Sequence, residues 1–296
     1  MAEHCYRHPN RETGVSCSHC GRPICPECMT STPVGMRCPD CARQRTRVAT
    51  AATIGARGGD PIATYALLAL NVIVFLAEIM GGGGGAASVE GGGNLIGDGG
   101  LCANAIDDGG ICGNQLNEGG EVFRIITGAF LHAGPFHLLL NMFALYILGT
   151  LIEPIIGTAR FVGIYFAALL AGSLGALLMS NPNEVTVGAS GAIFGLMAAA
   201  FVIARHRGID QIASQIGLFV VLNLVFTFSV PGISVGGHLG GLIGGAIAAL
   251  LLEQLAKRVK VGSSRVLLEA AAVVVICVLS VVGALWAAGQ SSQVIG

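Results

Sequence analysis

The chain has 296 residues, of which 53% are hydrophobic and only 11% charged, with 45 glycines and a formal net charge of −1. A soluble domain carries roughly 25% charged residues, which excludes a wholly water-facing protein, and the near-zero net charge offers no bulk attraction to nucleic acid. The charge deficit is concentrated in long uncharged runs, which point to a bilayer. No secretory signal peptide is expected, because the first apolar run begins only after about sixty residues and follows no short basic stub.

Residues 1–45 form the first expected domain. Four pairs share one spacing: Cys5-x-x-His8, Cys17-x-x-Cys20, Cys25-x-x-Cys28 and Cys38-x-x-Cys41. A two-residue gap lets both side chains of a tight turn face one ion, and eight ligands suffice for two closed tetrahedral zinc sites. The second and third pairs are too close in sequence for a comfortable sequential arrangement. Interleaved sites are therefore expected, Cys5/His8 with Cys25/Cys28 and Cys17/Cys20 with Cys38/Cys41. His4 and His19 are alternative ligands, and a disulfide knot is the competing reading. So short a segment cannot build an adequate apolar core, so two structural zinc ions would supply its folding energy. The pattern resembles a B-box-like cross-braced zinc finger, which implies a partner-binding module, here a cytoplasmic protein partner. Six Arg against four acids over residues 1–45 make a weak case for nucleic acid, and none is expected.

Residues 46–60 read as a linker and 61–290 as a polytopic membrane domain. Seven helical spans are predicted at 62–80, 134–152, 160–179, 189–205, 211–230, 236–255 and 266–288. With the cysteine module cytoplasmic, Arg160, Arg205, Arg207, Lys257, Arg258, Lys260 and Arg265 all lie at the inner face. Of the sixteen Lys and Arg, only Arg124 then lies outside, an asymmetry that sets orientation in the plasma membrane. It also puts the module in a reducing compartment, where thiols bind metal. The first external loop holds sixteen glycines between residues 81 and 120 and reads as flexible spacer. Cys102 and Cys112 there face the oxidising side, which permits a local disulfide. Cys277, inside the last span, reads as a packing residue.

Polar groups inside spans are costly and mark function by default. His137, Asn141, Ser190 and His238 all fall near the external ends of their spans, and His137 and Asn141 share one helical face. A serine hydroxyl becomes nucleophilic when a neutral imidazole takes its proton. A tetrahedral intermediate then needs donors, which His137, Asn141 and the Ser190 backbone N–H supply. Gly188 and Gly191 leave room around the serine. Gly237, Gly241 and Gly245 place small residues at helical spacing, permitting a close neighbour; if that neighbour is the fourth span, His238 comes within reach of Ser190.

These segments resemble the rhomboid family of intramembrane serine proteases. "GASG" (188–191) is similar to the family's G-x-S-G motif, "GHLGG" (237–241) to its histidine motif, and "HAGPFHLLLN" (132–141) to the segment with two histidines and an asparagine. The resemblance runs from about Val122 to Glu253. It implies a six-helix core plus a seventh helix, a Ser190–His238 dyad without an acidic third member, and no cofactor for catalysis. It assigns oxyanion stabilisation to His137, Asn141 and the Ser190 amide, and supporting places to His132, Phe194 and Gly241. Arg124 resembles the arginine of a first-loop Trp-Arg motif, with Phe123 in the tryptophan's place. Gly149, Glu153 and Gly157 match a structural family segment. The implied substrates are transmembrane proteins in the bilayer, cleaved within or beside a membrane helix. The rival readings are an inactive relative that only binds membrane proteins, and a transporter; inactive relatives lose the serine or the histidine, and both are present here.

Overall fold

The computed structural model describes residues 3–32, 35–43, 59–80, 94–107, 109–112, 115–117 and 119–292. The chain divides into two compact units, Met1–Thr50 and Ala51–Gly296. Most of the expected linker, 46–58, lies outside the described residues, as do 81–93 of the glycine-rich loop.

The small unit contains two antiparallel ribbons, β1 (Glu3–His4) with β2 (Glu12–Thr13) and β3 (Thr30–Thr32) with β4 (Gly35–Arg37), followed by the short helix α1 (Pro39–Arg43). Among the described residues, its buried apolar ones are six cysteines and Ile24. That is far too little hydrocarbon to hold such a unit together by burial alone.

The large unit is helical. Its long helices are α2 (Ile62–Met80), α6 (Pro135–Ile156), α7 (Thr158–Met179), α8 (Ser190–His206), α9 (Asp210–Ser229), α10 (Val235–Arg258) and α11 (Ser263–Ser292). Six are long and apolar enough to cross a bilayer; α8, at 17 residues, is shorter. Phe136, Leu139, Phe143, Leu218, Phe219 and Val225 are exposed on the outer surface, an apolar exterior that water would not tolerate at this extent. The chain is a membrane protein. The predicted spans recur with shifted ends: α6 continues through Pro154 to Ile156, and α11 starts earlier and ends later than 266–288.

The helices α7, α8 and α10 form the centre. Two rows of glycine on α10 make this possible. Gly236, Gly240 and Gly244 press on α7, where added Cβ atoms would meet Gly175, Ala171 and Ala171 again at 2.1–2.3 Å. Gly241 and Gly245 press on α8, where Cβ atoms would meet Gly191 and Gly195 backbone oxygens at 2.0 and 2.3 Å. The second row was legible as small residues four apart; the first extends the same device to another face.

Polar groups set the remaining contacts. Glu153 of α6 accepts from the Ala63 and Thr64 amides, 2.9 and 2.8 Å, and from the Thr64 and Thr158 hydroxyls, 2.7 and 2.8 Å. It thus satisfies otherwise orphaned N–H groups at the start of α2 with an anion, which the helix dipole favours. Gly149 makes room for Thr64, and Gly157, with φ +88°, turns the chain into α7. Arg160 binds Glu269 in a fork, 2.9 and 2.6 Å, and Arg265 joins at 2.8 Å, fastening α11 to α7.

The loop expected to be spacer has regular structure within its described residues 94–107, 109–112 and 115–117. It carries α3 (Asn94–Gly99), α4 (Ala103–Ile106) and a hairpin of β5 (Gly110–Cys112) and β6 (Gln115–Asn117), followed by α5 (Arg124–Thr127). A Cys102–Cys112 disulfide closes it. The buried Arg124 donates to the Gly100 carbonyl at 2.9 Å and to Gly97 and Glu121, and Thr127 Oγ1 donates to Gly99 at 2.6 Å. Glycine composition misled here because backbone carbonyls, which no composition reports, are what Arg124 gathers. Under denaturing, non-reducing conditions a thiol-alkylating reagent should modify eight of the ten cysteines, and all ten only after reduction. Intact-mass measurement showing ten modifications without reductant would remove this clasp.

Candidate active site

Helices α6, α8 and α10 all begin at one end of the bundle, and there the candidate residues meet. Ser190 is the first residue of α8, where the backbone N–H has no partner within the helix. His238 lies one turn into α10, whose start is capped by the Ser234 hydroxyl accepting from the Gly237 amide at 3.1 Å. Because Gly241 and Gly191 bring the two helices into backbone contact, the short serine side chain reaches across. Ser190 Oγ lies 2.8 Å from His238 Nε2. Phe194, one turn after Ser190, stacks on the imidazole with ring centroids 4.1 Å apart and planes 18° from parallel. The ring is therefore held flat between α8 and its own helix.

His137 comes from the first turn of α6. The Ala133 amide donates to its Nδ1 at 3.4 Å, so the neutral ring carries its proton on Nε2. That edge abuts Gly188: a Cβ there would meet His137 Cε1 at 2.7 Å and Nε2 at 2.8 Å, and Gly188 has φ +121°. The motif glycine is thus required twice, by backbone conformation and by the ring beside it. Asn141, one turn on, donates one Nδ2 hydrogen to the His137 carbonyl at 2.9 Å; an amide has a second. His132 sits behind them, its ring centroid 5.2 Å from that of His137. Its ring nitrogen Nδ1 donates to the Phe130 carbonyl at 3.2 Å. Burial, with His137 nearby, pushes His132 down to about 4, so it is neutral at neutral pH.

The approach to Ser190 is braced by the disulfide-closed loop. Leu101 and Thr186 exchange two backbone hydrogen bonds, 3.0 and 2.8 Å, and the Gly188 amide donates to Gly128 at 2.9 Å. Asn104 Nδ2 donates to Asn183 Oδ1 at 2.6 Å. The arrangement brings together an alcohol, an imidazole in contact with it, and hydrogen-bond donors on the adjoining side.

Three contributors were not legible in the sequence. Glu78 of α2 accepts the His132 amide at 3.1 Å, although it reads as an acid at a span end. Thr227 of α9 lies 2.7 Å from His238 Nδ1. Gly128 offers only a backbone carbonyl. None carries a motif, because each acts through tertiary proximity.

In the small unit, Cys5, His8, Cys25 and Cys28 form one cluster and Cys17, Cys20, Cys38 and Cys41 another, with ligand atoms in each within 4.8 Å of one another. His4 and His19 belong to neither. A tetrahedral ion with metal–sulfur bonds near 2.3 Å sets its ligand atoms about 3.8 Å apart. Cys20 and Cys38 sulfurs are 3.8 Å apart, and His8 Nδ1 stands 3.3–3.9 Å from the sulfurs of Cys5, Cys25 and Cys28. Hydrogen bonds from the Cys38 and Cys41 amides, 3.2 and 3.3 Å, point at sulfur. Arg22 Nε donates to Cys20 at 3.3 Å and holds that thiol below its usual range. Both clusters fit a metal held by thiolates.

Gly188→Ala should force His137 out of its place beside the serine segment. A crystal structure of that variant with His137 unmoved would contradict the reading of the glycine.

Comparison with known proteins places these features in a family. The Rhomboid domain family model matches residues 119–255. "Rhomboid protease GluP" of Bacillus subtilis is 36% identical over 66% of this chain and 36% of its own length. "Rhomboid-like protease 1" of Toxoplasma gondii is 36% identical over 45% of this chain and 48% of its own. YdcA of Bacillus subtilis, named after the same family, is 34% identical over 47% of this chain and 71% of its own. The chain thus spans a third to a half of the length of the first two. The matched segment contains the serine, the histidines and the glycine rows described above, and the chain belongs to the rhomboid family.

Proposed function

We propose that the chain is an intramembrane serine protease that cleaves peptide bonds in or beside transmembrane helices of membrane-protein substrates. The observation that carries this reading is the 2.8 Å contact between Ser190 Oγ and His238 Nε2 across two helices. As Oγ attacks the scissile carbonyl carbon, its proton passes to His238 Nε2. The carbonyl π electrons move to oxygen, and the tetrahedral oxyanion accepts hydrogen bonds from the Ser190 N–H, His137 Nε2–H and the second Nδ2 hydrogen of Asn141. Collapse breaks the C–N bond, the amine leaves with the proton from His238, and an acyl-serine remains. Water, deprotonated by His238, then hydrolyses that ester and restores Ser190. Such donors are each worth about 10²–10³ in rate, and the base about 10²–10⁴. No acid and no cofactor enters.

The substrate helix enters sideways past α9 and unwinds locally, because an intact helix hides its carbonyls. Small residues suit the cleaved position, since the glycines at 188 and 191 let His137 and the α10 backbone come close around the serine. The basic residues at the opposite end of the bundle from Ser190 support an orientation with the small unit cytoplasmic and the active site open to the outside of the plasma membrane.

Residues 1–45 are assigned to a B-box-like finger with two structural zinc ions, tied through 46–60 to the membrane protease domain of 61–290. Closed four-ligand sites leave no open position on the metal, so zinc there supplies folding energy and not chemistry. A cytoplasmic protein is the partner expected for this finger.

The test compares purified protein with Ser190→Ala and His238→Ala on a model transmembrane substrate. Each variant should lose at least about a hundred- to ten-thousand-fold in cleavage rate, and a fluorophosphonate probe should label the parent at Ser190 only. Cleavage by Ser190→Ala at the parent rate would mean another nucleophile, and a parent that cleaves nothing would mean an inactive binding protein. For the finger, elemental analysis should return two zinc ions per chain, and chelation should unfold the module; a folded module free of metal contradicts the assignment.

A further inference from the structure

The Thr227 hydroxyl engages two groups at once. Its Oγ1 donates to the Asn223 carbonyl one turn back at 2.8 Å and lies 2.7 Å from His238 Nδ1. A hydroxyl has one hydrogen, and the carbonyl can only accept. Towards His238, Thr227 therefore only accepts, which places the imidazole proton on Nδ1. The opposite nitrogen, Nε2, is then the bare one, and it is the atom 2.8 Å from Ser190 Oγ. Thr227 and His238 are both buried, at 2% and 8% exposure, so bulk water does not easily replace this partner.

We propose that Thr227 is a positioning residue, a neutral third member that fixes the tautomer and orientation of His238 so that Nε2 can take the Ser190 proton. The proposal rests on the proteolytic reading for its kinetic consequence, and on geometry alone for the tautomer. It supplies, through a neutral oxygen, what a buried carboxylate does in other hydrolytic sites: it gives the distal N–H an acceptor and leaves the proximal nitrogen basic. A carboxylate here would bring a costly charge into a membrane span; a threonine bonded to its own helix brings none. Thr227 comes from α9, whereas the serine and histidine come from α8 and α10. A third helix therefore holds the base, and α9 leaves Leu218, Phe219, Leu222, Val225 and Phe226 exposed on the outer surface.

Without an acceptor, a buried Nδ1–H is left unpaired, and the proton prefers Nε2, where it blocks transfer from the serine. The full chain, labelled with ¹⁵N at histidine, reports this directly from its ring-nitrogen shifts at neutral pH, with His238→Ala identifying the relevant signals. The expected result is the Nδ1–H tautomer in the parent and in Thr227→Ser. Thr227→Val should show a mixed or Nε2–H signal. In parallel, Thr227→Val should lower kcat by about five- to tenfold, the worth of one net hydrogen bond, with KM unchanged, and Thr227→Ser should restore it. Parent protein with the proton on Nε2 overturns the proposal. So does a Thr227→Val protein with unaltered tautomer and kcat. If the valine variant does not fold, the parent and serine tautomers still decide. A parent with the Nδ1–H tautomer that cleaves nothing would instead leave this geometry standing and remove the protease assignment.

Discussion

The site depends on how closely two helices can lie. Helices padded by ordinary side chains pack with axes about 8–10 Å apart, and such padding would fix a different separation between a serine at the start of one and an imidazole on the other. Along α8 and α10 the padding is absent: Gly191 and Gly195 meet Gly241 and Gly245, backbone against backbone. In a bilayer, lipid tails are as apolar as leucine, and close packing is one of the few sources of helix association. The same glycines that join the bundle therefore also set the Ser190–His238 distance. The second row, Gly236, Gly240 and Gly244, buries the other side of α10 against α7, so the histidine helix has contact on two faces and little freedom to drift.

Around that centre, the polar groups are engaged from unexpected directions. Glu153 caps α2 from α6, and Glu78 of α2 holds the His132 backbone. Arg124 collects carbonyls of a glycine-rich loop, and that loop in turn pairs with Thr186 just before Ser190. Each is a group that would be expensive alone in an apolar setting and is inexpensive once its partner is fixed. The consequence for the site is rigidity: Ser190 is approached by a braced segment on one side, and the His238 ring is stacked on Phe194 and in contact with Thr227 on the other.

The small unit uses different physics. Among the described residues its buried apolar ones are six cysteines and Ile24, and two crossed four-ligand clusters that could hold metal stand where an oil-like core would be. On the proposed zinc assignment such a module folds or unfolds with its metal, whereas the membrane unit is stabilised by packing. The two parts would then respond to unrelated conditions.

The sequence by itself determined the spans, because apolar length is a one-dimensional property that a bilayer reads directly. It also determined the candidate nucleophile, base and first donors, since polar residues in such spans stand out one by one, and it indicated the cysteine pairs through their regular gaps. The tertiary structure decided what touches what. The spacing of α10 glycines could not say that one row faces α7 and the other α8, because helical periodicity names faces without naming neighbours. Glycine content suggested a loose loop over 81–120, yet Arg124 and the Cys102–Cys112 bond order its later part through backbone carbonyls that have no sequence signature. Thr227 looked like any threonine in a membrane helix. Only packing brought its lone pair to His238, and a hydrogen bond between groups on different helices exists nowhere in the sequence that makes it.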